Sequence, residues 1–196
     1  MPGSVISYFN TQAKSAQNVA QRHLGLLSDA VYNNFEHFVV KGMTRVSGES
    51  KNIDAIIESI QKNDNFAFDD KLDVYDIYGA MRRCFVNAQS NSDREYMLDV
   101  IKKFAEEPDQ SKDEYIQQMA SLPKPVETIL PFFAKLSLPD HSKITNLDTS
   151  SLGKILAPNI NNSKATDFTT ASKDLDVAID FATRLIAQRA ARLNTP

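Results

Sequence analysis

One cysteine is too few for an internal disulfide, and Cys84 is the only one in the chain. It falls on the apolar side of a predicted helix, where packing rather than nucleophilic chemistry is its expected role. Histidine is scarce as well: His23, His37 and His141 lie far apart, and without a cysteine pair or an HExxH helix no metal-ligand spacing exists. Tryptophan is absent, and no apolar run approaches the roughly 20 residues that a membrane span requires. Neither spanning nor direct membrane insertion is expected. The chain also lacks an excess of positive charge: its net charge is -3, and its lysines and arginines are scattered without interleaved aromatics. Nucleic acid is therefore not an expected partner. The first residues, "MPGSVISYFNTQ", have neither a basic start nor a long apolar stretch, so a cytoplasmic location is expected. A phosphate-binding loop and a nucleophile elbow are missing too, which argues against a self-contained hydrolase with a cofactor of its own.

What is present is helical periodicity. A chain of 196 residues suits one domain, 1–196, and its 42% hydrophobic content suits a globular core. Leu24, Leu27, Val31, Phe35 and Phe38 form one stripe. Ser50 is placed to cap a helix that carries Ile53, Ile56, Ile57 and Ile60. "DVYDIYGAMRRCFVNA" has an apolar face with Arg82 and Arg83 at its edge or outside it, and Tyr75 and Tyr78 as packing residues. Ser92 precedes a further helix, and "SKDE" from Ser111 has the spacing of a capping box. Pro131 is expected to bend the helix of "LPKPVETILPFFAKL", and the next helix should end near Pro158. "NNSKATDFTT" reads as a local linker, with a last helix from about Ser172. No segment alternates with period two. The expected fold is an all-α bundle of about eight or nine helices.

Between the first two stripes lies "KGMTRVSGES", residues 41–50, a loop with Arg45 bracketed by Gly42 and Gly48. A guanidinium is permanently charged and forked, so on such a loop it can stabilise charge growing on a phosphoryl group held by another protein. The glycines allow the close backbone approach that such a finger needs. Ser47, with no His or Asp partner at a usable spacing, is expected to hydrogen-bond within the loop.

Three segments in order, "FEHFVVKGMTRVSGES", "DVYDIYGAMRRCF" and "LPKPVETILPFFAKLS" followed by "NLDTSSLGKILAPNI", resemble the GTPase-activating domain of Rho-type small GTPases, the RhoGAP family. The resemblance covers roughly residues 24–160, with Arg45 at the finger position. It implies an activator that supplies Arg45 in trans to a Rho-, Rac- or Cdc-type GTPase, which itself holds the GTP and magnesium. It further implies finger-loop and partner contacts at Gly42, Ser47, Gly48, Arg82 and Arg83. A contact asparagine falls at Thr145 or, with a one-residue shift, at Asn146. Another falls at the Ala-Pro-Asn end of the late helix, within 157–160, where the asparagine is Asn159 and position 160 is Ile160. The sequence departs from the family where an arginine one turn after Arg82 is replaced by Val86, and an asparagine by Ser151. Those departures leave open a second reading, a RhoGAP-like module that binds small GTPases or scaffolds partners without efficient activation. A third, an unrelated helical adaptor, requires all three matches to be accidental.

Overall fold

The computed structural model describes the backbone of residues 3–161 and 168–193 and the side chains of 13–161 and 169–193. The proposed linker lies largely outside these residues. The described residues form nine α-helices and two 3-10 turns, with no strand among them. They run α1 (Gly3–Asn33), α2 (Ser50–Asn63), α3 (Val74–Ala88), α4 (Asn91–Glu106), α5 (Lys112–Gln118), α6 (Lys124–Leu136), α7 (Pro139–Thr145), α8 (Thr149–Ile160) and α9 (Phe168–Leu193).

The apolar stripes become the core. Leu24, Leu27 and Val31 of α1 are buried with Ile77, Met81 and Phe85 of α3 and with Val126, Ile129 and Phe133 of α6. Helix α3 packs on α1, α2 and α6, while α9 lies along α8 and also meets α4, α5 and α6. The first stripe does not stay α-helical to its end. Asn34 turns its amide back to the Ala30 carbonyl at 2.8 Å, and the chain continues as a 3-10 turn, Phe35–Phe38. Phe132 of α6 fixes that turn: its ring lies 5.9 Å from Phe35, 6.4 Å from Phe38 and 5.6 Å from Tyr78. These aromatic contacts set the floor from which the 41–50 loop rises.

Several helix ends differ from the sequence expectation. Ser50 is the first residue of α2 rather than its cap; the N-cap is Glu49, and its backbone N–H donates to the buried Asp76 carboxylate of α3 at 2.6 Å. The cap of α4 is Ser90, not Ser92, in a reciprocal box with Asp93. Ser111 makes no side-chain cap, because the 3-10 turn Asp109–Ser111 leads directly into α5. Helix α6 runs through Pro131 to Leu136, and α8 runs through Pro158 to Ile160. The last helix begins at Phe168, ahead of Ser172. Its middle is tied to α5 by ions: Arg184 bonds Asp180, Asp113 and Asp109, and Lys112 bonds Asp180 at 2.8 Å. Burial would raise the Asp180 carboxyl, but the hydrogen bonds from Lys112 and Arg184 prevail and hold it below its usual range.

Candidate functional site: the arginine loop and its groove

The loop at 41–50 is fastened to α3 at both ends. At its entry the Tyr75 hydroxyl donates to the Lys41 carbonyl at 2.8 Å. At its exit Asp76 accepts from Glu49 N–H and, at 2.8 Å, from the Asn52 amide. Between these anchors Met43 is fully buried and pins the middle of the loop. Gly42 has φ +80°, a conformation that favours glycine, and its carbonyl accepts from the N–H groups of both Arg45 and Val46. Gly48 answers a different need. A Cβ there would stand 2.5 Å from Asp76 Oδ1 and 2.7 Å from the Tyr75 carbonyl oxygen, so only glycine lets the loop lie against the first turn of α3.

This arrangement leaves Arg45 exposed. Its guanidinium reaches the Asn146 carbonyl at 3.5 Å, a long contact that orients the side chain without burying it. Asp148 is nearby; its carboxyl is held low first by the Ser151 backbone N–H, at 2.7 Å, and least by Arg45. Ser151 is thus part of the α8 cap. Asn146 ends α7 in the left-handed conformation, φ +56°, and is exposed. Thr145 is buried and bonds its hydroxyl to the His141 carbonyl. Of the two register alternatives, Asn146 is the one placed beside Arg45.

A groove opens between the loop, α2 and α3, lined among others by Thr44 and Val46, the two neighbours of Arg45, and by Arg82, Arg83 and Val86. Arg82 is exposed, and no hydrogen bond or ion pair engages it among the described residues. Arg83 is engaged: it is ion-paired with Asp54 of α2 and lies 3.5 Å from Ser50 Oγ. Arg83 therefore braces α2 rather than standing free toward a partner. Val86 is half-buried and packs on the core, and its carbonyl accepts from Arg94 of α4 at 3.0 Å. Ser47 is exposed at the loop's tip. Asn159 bonds its amide to the Ile155 carbonyl of its own helix, and its backbone carbonyl accepts from Gln89; Ile160 is core. Asn159, in the last turn of α8, is thus occupied within the fold.

No protein-family model and no curated protein matches the chain. Solved structures do. Human Rho GTPase activating protein 15 superposes with a TM-score of 0.64 at 19% identity, over 85% of this chain and 80% of that one. The BH domain from GRAF, the GTPase regulator associated with focal adhesion kinase, gives a TM-score of 0.66 at 14% identity, over 90% of this chain and 96% of that one. The fold is RhoGAP-like.

Within this RhoGAP-like fold, three residues that shape the loop carry no sequence signal. Asp76 reads as a first-turn acid, and its bond to a backbone 27 positions away is invisible in sequence. Tyr75 packs on the core as expected, and its hydroxyl is a hydrogen-bond anchor as well. Thr44 is β-branched yet has φ +74°, and its hydroxyl is buried with no partner among the described residues. Such strain immediately before Arg45 is of the kind found at functional sites. Burial pushes the Cys84 thiol up to about 11, against the influence of Arg83, which leaves it protonated and inert at neutral pH. No group of three or more His, Cys, Asp or Glu converges as metal ligands among the described residues. No helix there is long and apolar enough to cross a membrane.

Proposed function

We propose that this RhoGAP-like chain activates GTP hydrolysis by a Rho-type small GTPase, with Arg45 as the finger supplied in trans. The observation that carries the reading is Arg45 itself: an exposed guanidinium on a loop hydrogen-bonded to α3 at both ends, with Asn146 beside it. The partner holds GTP and magnesium; this chain contributes position and charge. Docking the loop against the partner's nucleotide site would exchange the long Arg45–Asn146 contact for bonds to the transferring phosphoryl group. A guanidinium is worth more in that dry setting than in water. Because the loop is held before docking, little ordering entropy remains to oppose the transition state. Arg82, in the groove beside the loop and without an ion pair among the described residues, would steer the partner's acidic surface or steady the loop.

A second reading keeps the docking face and loses efficient turnover. It is favoured by Val86, an aliphatic side chain packed on the core one turn beyond Arg82, and by Asn159, whose amide is spent on its own helix. Single-turnover GTP hydrolysis across Rho-, Rac- and Cdc-type GTPases, run beside complex formation with GDP and a phosphate-mimicking fluoride, separates the two. Activation predicts stimulated hydrolysis and a fluoride-dependent complex with at least one GTPase. Binding without activation predicts a complex that is indifferent to fluoride. Neither hydrolysis nor a complex with any of them removes both readings.

A further inference from the structure

Away from the arginine groove, a trough of about 540 Å³ lies between α9 and the connection from α5 to α6. That volume falls inside the range of roughly 300–1,000 Å³ usual for ligand sites. We propose that it docks an extended peptide segment of a partner, one that carries acidic side chains beside an aliphatic or aromatic one. Three features point to that chemistry.

The floor is apolar, built from Ile116, Leu130 and Leu185. The rim is cationic: Lys124, Arg189 and Arg192 line it, and none makes an ion pair or side-chain hydrogen bond among the described residues. The acid in the lining, Glu127, is directed at the Leu122 N–H at 3.3 Å. In a chain of net charge -3 this is a concentration of unanswered positive charge. Helix stabilisation accounts for only part of it. Arg192 sits in the last turn of α9, where a cation complements the helix dipole, but Lys124 opens α6, where a cation is disfavoured.

The third feature selects a peptide over other anions. Residues 119–123 belong to no helix, and Met119, with φ -58° and ψ 127°, has left the helical conformation. The N–H and C=O of Ala120 and the N–H of Ser121 have no hydrogen-bond partner among the described residues. These three free groups beside an apolar floor can bond the backbone of an extended chain, while the cations select its acidic side chains.

The trough shares no lining residue with the groove beside Arg45, so this proposal stands or falls separately from GTPase activation. The test is selection of a random heptapeptide display library on the full chain, followed by fluorescence anisotropy with the most enriched peptide. The expected result is enrichment of Asp or Glu next to Leu, Ile or Phe, with affinity lowered at least about tenfold by Arg189→Glu/Arg192→Glu and also by Lys124→Glu. The two variants act oppositely on their helix dipoles, so a loss common to both, with melting curves recorded, is not a folding effect. Any GTPase stimulation should be unchanged in both. No enrichment, enrichment of other chemistry, or affinity indifferent to these substitutions overturns the proposal. So does binding to phosphatidylserine vesicles, but not to phosphatidylcholine ones, that depends on Arg189 and Arg192 without acidic-peptide enrichment; that outcome assigns the trough to a membrane surface.

Discussion

Thr44 and Asp76 hold the arginine loop in opposite ways, one by bearing strain and the other by relieving an unmet need. A threonine at φ +74° whose buried hydroxyl has no partner among the described residues is out of place energetically. Glycine there should stabilise the domain by about 1 kcal/mol, the gain from released strain exceeding the added freedom of the unfolded chain. The same change should loosen the loop, so Thr44→Gly is expected to raise the melting temperature and to lower any GTPase stimulation. Asp76 satisfies Glu49 N–H and the Asn52 amide from a buried position. Asp76→Ala should cost about 1.5–3 kcal/mol in urea unfolding, the usual worth of hydrogen bonds to a charged group. His23 supplies a pH signature. It is buried, its Nε2 has no partner among the described residues, and its pKa is lowered first by burial and then by Arg22, with Asp64 opposing. The fold thus favours the neutral ring, so its contribution is complete above the unfolded pKa of roughly 6.5 and is lost as pH falls through the lower folded value. Melting curves from pH 7.5 to 5 should therefore fall less steeply for His23→Gln than for the parent protein.

At the scale of elements, α3 is the member that makes the site: it anchors both ends of the loop and presents Arg82 and Val86 to the groove. Val86 is half-buried at a groove wall, so an arginine there can lay its stem on apolar neighbours and extend its head outward. Val86→Arg is expected to raise GTPase stimulation with a stability change under about 1 kcal/mol. A large loss of melting temperature would place position 86 in the core instead. The elements themselves were legible because apolar residues repeat at helical spacing from Leu24 to Ile186. Their ends were not. Ser90, Ser92 and Asp93 are all good caps within four positions, and the choice of Ser90 rests on its reciprocal bond with Asp93. At α2 the sequence offers Ser50, while the structure takes its capping oxygen from Asp76 on another helix. Long-range partners of this kind have no local sequence mark.

For the whole molecule, the order of segments around "GMTRVSG" indicated a RhoGAP-like bundle, and the fold agrees with two solved structures at 14% and 19% identity. The candidate site was legible where one residue type does one job: Arg45 had to be exposed, and it is. It was less legible where neighbours compete. Arg82 and Arg83 are adjacent in sequence, yet Asp54 claims only Arg83, and the choice between Thr145 and Asn146 needed the left-handed end of α7. As a finger, Arg45 would act on the partner's transition state and not on folding. Single-turnover GTP hydrolysis by the most responsive Rho-type GTPase, with parent chain and with Arg45→Ala, tests it most directly. Stimulation by the parent should fall by roughly 10³ to 10⁵-fold on substitution, the range for fingers supplied in trans. The melting temperature and the ground-state affinity should stay nearly unchanged. Stimulation that survives Arg45→Ala would contradict it.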